Sequence, residues 1–164
     1  MAELTHLEEK LAEVTGLAMA AKDSGAKVIK LTEAEDGDLV RTLQRMASEA
    51  ADTEERCTEV AGTFEGKKTA ILQKARQVKS KASDMMSTYL DRDAEALDGF
   101  EFLTMAEAAE VGHWSVLKTL NRKARNGEVQ QLVEWALPIQ ERHFQQVLEG
   151  SQALAAEEDP NETS

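Results

Sequence analysis

Apolar residues recur along this chain in steps of three and four, the spacing of one face of an α-helix. In the first stretch Leu4, Leu7, Leu11, Val14, Ala18 and Ala21 follow that rhythm. The pattern either runs on through Gly25 to Val28 or weakens at Asp23-Ser24-Gly25. The acidic segment 33–38, with Gly37, predicts a turn. A second helix then carries Leu39, Leu43, Met46, Ala50, Cys57, Val60, Ala61 and Phe64. A third, from about Lys67, has Ile71, Ala75, Val78, Ala82, Met85 and Tyr89 as its stripe. A break near Asp91-Arg92-Asp93 follows, with Asp93 the expected N-cap. The fourth helix runs to about Ala124, and Asn126-Gly127 is the clearest turn signal. The fifth spans about Glu128 to Ala155 and should kink at Pro138, which lacks a backbone donor. No window alternates β-branched residues between turn signals, so no strand is expected.

Short connections at 33–38 and 126–127 make helices one and two, and helices four and five, antiparallel hairpins. The third helix is then the crossover between hairpins or an outer helix laid on the bundle. Residues 1–157 fit a single domain, with 158–164 a polar tail. The composition agrees: aromatics are only 4%, and two prolines and nine glycines punctuate 164 residues.

Charge narrows the partners. A net charge of −12 argues against a protein that tracks phosphates with Lys and Arg, and against anionic membrane surfaces. The segment 67–81 is the exception, with Lys67, Lys68, Lys74, Arg76, Lys79 and Lys81 and no acidic residue. It is expected to dock on its own acidic bundle or on a second copy. With no apolar run near the length of a membrane span and no basic-then-apolar opening, the cytoplasm is the expected compartment. The single cysteine, Cys57, excludes an intramolecular disulfide. On the core face it reads as a small packed side chain.

Two helices carry polar residues on their apolar stripes. The stripe of helix four (Leu103, Ala106, Leu117, Leu120, Ala124) passes through Glu110 and His113. That of helix five (Val129, Leu132, Ala136, Val147, Leu154) passes through Gln140 and His143. If the hairpin folds at 126–127, Glu110 faces His143 and His113 faces Gln140. Glu107 borders the stripe and is expected to be an exposed flanking residue, or else an added ligand. His6 lies off the apolar face. Trp114 and Trp135 sit on opposite arms of this hairpin and are expected in packing. A buried carboxylate needs a positive or hydrogen-bonding neighbour. Two solutions fit: a metal ion held by carboxylate and imidazole, or a closed polar network in which Glu110 pairs with His143.

This arrangement resembles the ferritin-like superfamily, in particular its small bacterial stress-associated members. The resemblance covers most of the chain: two helical hairpins, a connecting segment and Glu-x-x-His-type spacing in the core. It implies a ferritin-like four-helix bundle with an extra crossover helix. A di-iron member places a Glu on each of two helices and a Glu-x-x-His on each of the other two. Glu110 would match a lone Glu, and Gln140 to His143 the Glu-x-x-His with Gln in place of Glu. Glu54 and Cys57 keep the spacing in helix two, with Cys where His is expected, and helix one offers no well-placed Glu. The implied function is that of a ferritin-like protein with a reduced or altered di-metal (iron) site, related to iron or oxidative stress. Its metal residues would be Glu110, His113, His143, Gln140 and Glu54. The competing reading is a non-enzymatic helical scaffold or association module whose Glu/His/Gln cluster is a buried polar layer. A homodimer or other homo-oligomer through helix faces is expected, and no small-molecule substrate is legible.

Overall fold

The computed structural model describes residues 2–163. Five α-helices account for the ordered elements, and no strand occurs among the described residues: α1 His6–Thr32, α2 Gly37–Gly62, α3 Lys68–Tyr89, α4 Ala96–Ala124 and α5 Gly127–Ala155. None of these helices is long and apolar enough to cross a membrane.

Local chemistry sets most of the boundaries. Thr5 and Glu8 form a reciprocal cap on α1, with Glu8 N–H donating to Thr5 Oγ1 at 3.3 Å and Thr5 N–H to Glu8 Oε2 at 2.8 Å. α1 continues without interruption through Gly25. Asp36 caps α2 by accepting from Asp38 N–H. The start of α4 differs from expectation. Asp93 does not cap it; Glu95 occupies the N-cap, and its N–H donates to Asp98 Oδ2. Asp93 N–H is instead taken by the Asp91 side chain in a tight turn. α5 runs unbroken through Pro138.

The α4–α5 connection centres on Arg125 and Asn126, one residue earlier than the 126–127 turn. Arg125 takes a left-handed conformation (φ 55°) at the end of α4. Asn126 caps α5 through Val129 N–H at 3.0 Å. The buried Asn121 side chain then donates to Asn126 O and accepts from Asn126 N–H, which fixes the corner. This one-residue shift sets which polar residues of the two helices meet.

α1, α2, α5 and α4 pack in a ring, each against the next, while α3 lies along the outside of α1 and scarcely touches α4. At one end of the ring Leu11, Val14, Cys57, Val60, Trp114, Leu117, Val129 and Ala136 form a core that includes Ile71 of α3. At the other end Val28, Leu43, Met46, Phe100, Leu103, Val147 and Leu154 form a second core that includes Leu90, at the far end of α3. α3 therefore runs the length of the bundle from one core to the other. Trp114 is fully buried in the first core and Trp135 packs against it, its ring also lying under the Arg56 guanidinium at 4.1 Å.

The docking of α3 is apolar rather than electrostatic. Ala70, Ile71 and Ala75 are buried, and a Cβ at Gly16 of α1 would lie 2.3 Å from Ala75 O. Only a glycine permits that approach. Two basic residues pair with the bundle: Lys79 with Asp23 at 3.3 Å and Lys67 with Glu8 at 3.9 Å. Such partly exposed pairs contribute at most about 1 kcal/mol each. Lys68, Arg76 and Lys81 point to solvent.

Candidate functional site

Between the two apolar cores every ring helix changes character. α1 places Ala18, Ala21 and Gly25 there, α2 Ala50 and Thr53, α4 Glu107 and Glu110, and α5 Gln140 and His143. The i, i+3 spacing of the last two pairs turns both members of each to one helix face. Small residues on α1 and α2 leave room for the long polar side chains of α4 and α5. Exposure is 3% for both Glu107 and Glu110 and 1% for both Gln140 and His143. Glu107 is therefore a member of the buried layer and not the exposed flank the stripe suggested.

The imidazole of His143 lies between two carboxyl groups. Its Nδ1 is 3.8 Å from Glu107 Oε2, and its Nε2 is 3.5 Å from Glu49 Oε1 of α2. Glu49 also accepts from the Arg142 guanidinium and pairs with Arg45 Nε at 3.2 Å. Burial alone would raise the Glu49 pKa, but the hydrogen bond and charge of Arg142, with the His143 ring beside it, outweigh it, so the carboxylate stays ionised. Burial lowers the His143 pKa against the opposing pull of Glu49, which favours the neutral ring. A neutral ring that donates Nε2–H to Glu49 keeps Nδ1 as an acceptor facing Glu107.

The two α4 carboxyls lie one helical turn apart, and each affects the ionisation of the other. Burial pushes Glu107 up to about 7. Glu110 rises well above the usual carboxylate range, first through burial and then through the charge of the neighbouring Glu107. Near neutral pH the pair thus carries at least one proton. Glu107 Oε2, Glu110 Oε1 and Gln140 Oε1 nevertheless remain buried without a hydrogen-bond partner. Orphaned buried acceptors cost free energy, about 1–3 kcal/mol each, unless something supplies a donor or cation.

The other expected site residues lie elsewhere. His113 does not reach the layer. It is on the outer α1–α4 face, its side chain 39% exposed, with Nδ1 3.1 Å from Glu13 Oε2 and 3.2 Å from Lys10 Nζ. The α4 face is centred on Glu107, Glu110 and Trp114, which leaves His113 at its edge. Glu54 is partly buried and ion-paired with Lys22. Cys57 is buried near Glu110 and Glu54. Burial, with those two acidic groups adding to it, pushes its thiol up to about 12. A thiol so held is neither a nucleophile nor a ready metal ligand. His6 is exposed, as its position off the stripe predicts.

Glu49 and Arg142 are the site residues that the sequence reading missed. Glu49 carries a signal, since it lies three residues after Met46 and four before Thr53, beside the α2 stripe. Arg142 carries none, because a basic residue next to a stripe usually faces water.

Among the described residues no three His, Cys, Asp or Glu side chains converge to hold a metal ion. A two-metal centre of the di-iron kind does not fit this donor set. Glu49 is taken by Arg45, Arg142 and His143, Glu54 by Lys22, and His113 by the surface. Glu107, Glu110, Gln140 and His143 are the only expected ligands that share the interior layer, and their free acceptors suit a single cation or a donor group better. No protein-family model matches the chain, and neither a curated protein nor a solved structure matches it.

Proposed function

We propose that the protein is a ferritin-like helical bundle whose interior layer is a proton-sharing acid–imidazole network, and that it works as a non-enzymatic association module. One observation carries this reading: the ion pair of Glu49 with Arg142 and its contact with the His143 ring commit the carboxylate that a metal centre would need from α2. The network runs from the Glu110–Glu107 acid pair through the neutral His143 ring to the ionised Glu49. Polar layers of this kind fix helix register, because any slip would orphan the buried groups. The solvent-facing Lys68, Arg76 and Lys81 of α3, on a chain of net charge −12, support association with the acidic face of a second copy.

A second reading rests on the unpartnered oxygens of Glu107, Glu110 and Gln140. In it the same layer holds one iron ion, with His143 as the nitrogen ligand and neither His113 nor Glu54 taking part. Those side chains would hold ferrous iron as the substrate, and the family resemblance implies its oxidation by an oxidant from outside the protein.

Growth in iron-supplemented medium followed by measurement of bound metal separates the two. The network reading expects substoichiometric metal, together with a melting temperature lowered by Glu110→Ala and by His143→Ala. One equivalent of iron in the parent protein, lost in both variants, would replace it with the second reading.

A further inference from the structure

The gap between α3 and α4 is a cavity of about 110 Å³ that leads inward to the acid pair. Alanines on all three surrounding helices create it: Ala20 and Ala21 of α1, Ala82 of α3 and Ala106 of α4. Glu107 and Glu110 line its inner end and are its only ionisable residues. Each has a buried oxygen without a hydrogen-bond partner among the described residues. The outer end is apolar. Met85 and Met105 line it at 52% and 40% exposure, and Tyr89, 58% exposed, stacks obliquely on the lining Phe102 with ring centroids 6.1 Å apart. Two of the large hydrophobic side chains exposed among the described residues, Met85 and Met105, therefore line one opening, with Tyr89 beside it on Phe102. Single exposed apolar residues are ordinary, whereas their concentration at the mouth of a cavity marks a binding surface.

We infer that this cavity binds a small organic cation with an apolar body, a primary alkylammonium, whose head group donates to Glu107 and Glu110. The size fits. An engineered apolar cavity of about 150 Å³ in another protein takes a benzene ring, so this one encloses roughly four or five heavy atoms. A longer alkyl chain extends along the flexible methionines at the mouth, which adapt to varied shapes. The polarity also fits. An ammonium has three donors and no acceptor, which matches a site offering carboxyl acceptors and no side-chain base. A carboxylate ligand of equal length would meet unpaired acceptors and negative charge. The site stands apart from the association reading, since it uses the α3–α4 opening and not the basic face of α3.

Titration calorimetry of the chelator-treated, full-length protein with n-hexylamine at neutral pH tests this, with hexanoate and 1-hexanol as controls. The expected result is saturable one-to-one binding by hexylamine, at least about tenfold tighter than either control. Glu110→Gln keeps the shape and puts an amide donor in place of an acid oxygen; Ala106→Phe and, from the opposite wall, Ala82→Leu fill the cavity. Each should weaken hexylamine binding at least about tenfold, with circular dichroism confirming that the helices persist. Absence of saturable binding, equal affinity for 1-hexanol, or indifference to both cavity-filling variants would overturn the inference. So would a dimer that Met105→Asp dissociates, because the opening would then be an interface between two copies.

Discussion

His143 Nδ1 lies 3.8 Å from Glu107 Oε2, while its Nε2 faces Glu49 at 3.5 Å, so one ring joins α2, α4 and α5 across the middle of the bundle. The ring separates an ionised carboxylate on the α2 side from a protonated pair on the α4 side. Much of the behaviour of the protein in solution follows from that division.

Stability should fall as the pH rises through neutrality. Glu107 and Glu110 have folded-state pKa values above the ordinary 4.5, Glu107 at about 7. Between those limits the folded state binds more protons than the unfolded one, so the stability they contribute is full below about 4.5 and is lost as pH climbs through 7. The shift at His143 has the opposite sense and acts only as pH falls below its ordinary 6.5. Urea titrations from pH 6.5 upward should therefore show falling stability in the parent and a flatter profile in the Glu107→Gln, Glu110→Gln double variant. Equal slopes would show that the pair is not the source.

Replacing His143 should cost as much as truncating an apolar core residue. His143→Ala opens a cavity between α4 and α5 and removes one partner of Glu49, for a loss of about 2–4 kcal/mol. His143→Gln keeps a donor toward Glu49 and should cost about half as much. Chemical denaturation of both variants at pH 7 checks the ordering. Equal losses would place the effect in packing alone.

α3 is held by a steric fit at one glycine. Gly16→Ala forces a methyl group against Ala75 O, where only 2.3 Å is available, and should destabilise the protein by about 1–3 kcal/mol. The damage should be local. Hydrogen exchange should quicken in Lys68–Tyr89 more than in α4 and α5, whereas uniform acceleration would count against it.

The thiol of Cys57 should be inert in the folded protein. It is fully buried and held protonated up to about 12, so a disulfide reagent at pH 8 should label it no faster than the protein unfolds. Rapid modification of the native protein would contradict the placement of α2.

The helices themselves were legible in the chain because amphipathic spacing of three and four is a local signal, and all five runs of it became helices. The boundaries were less so. Asp93 looked like a cap, but Asp91 claimed its N–H, and Glu95 took the position. The facing of polar residues across α4 and α5 was misjudged for a comparable reason. A turn centred on Arg125 and Asn126 moves the position facing His143 back from 110 to 108, toward Glu107, whose carboxyl the ring then meets.

The sequence by itself determined an all-helical chain, an acidic surface with one basic segment, and a polar interruption of the stripes on α4 and α5. Those are properties of single helices, fixed by period and composition. Which residues complete the layer was decided only by tertiary structure. Glu49 and Arg142 enter it from the margins of their helices because α2 packs beside α5. His113 leaves it because a rotation of about 100° per residue carries it round to Glu13 of α1. The opening above Glu107 and Glu110 is likewise invisible along the chain, since it exists only where alanines from three helices meet.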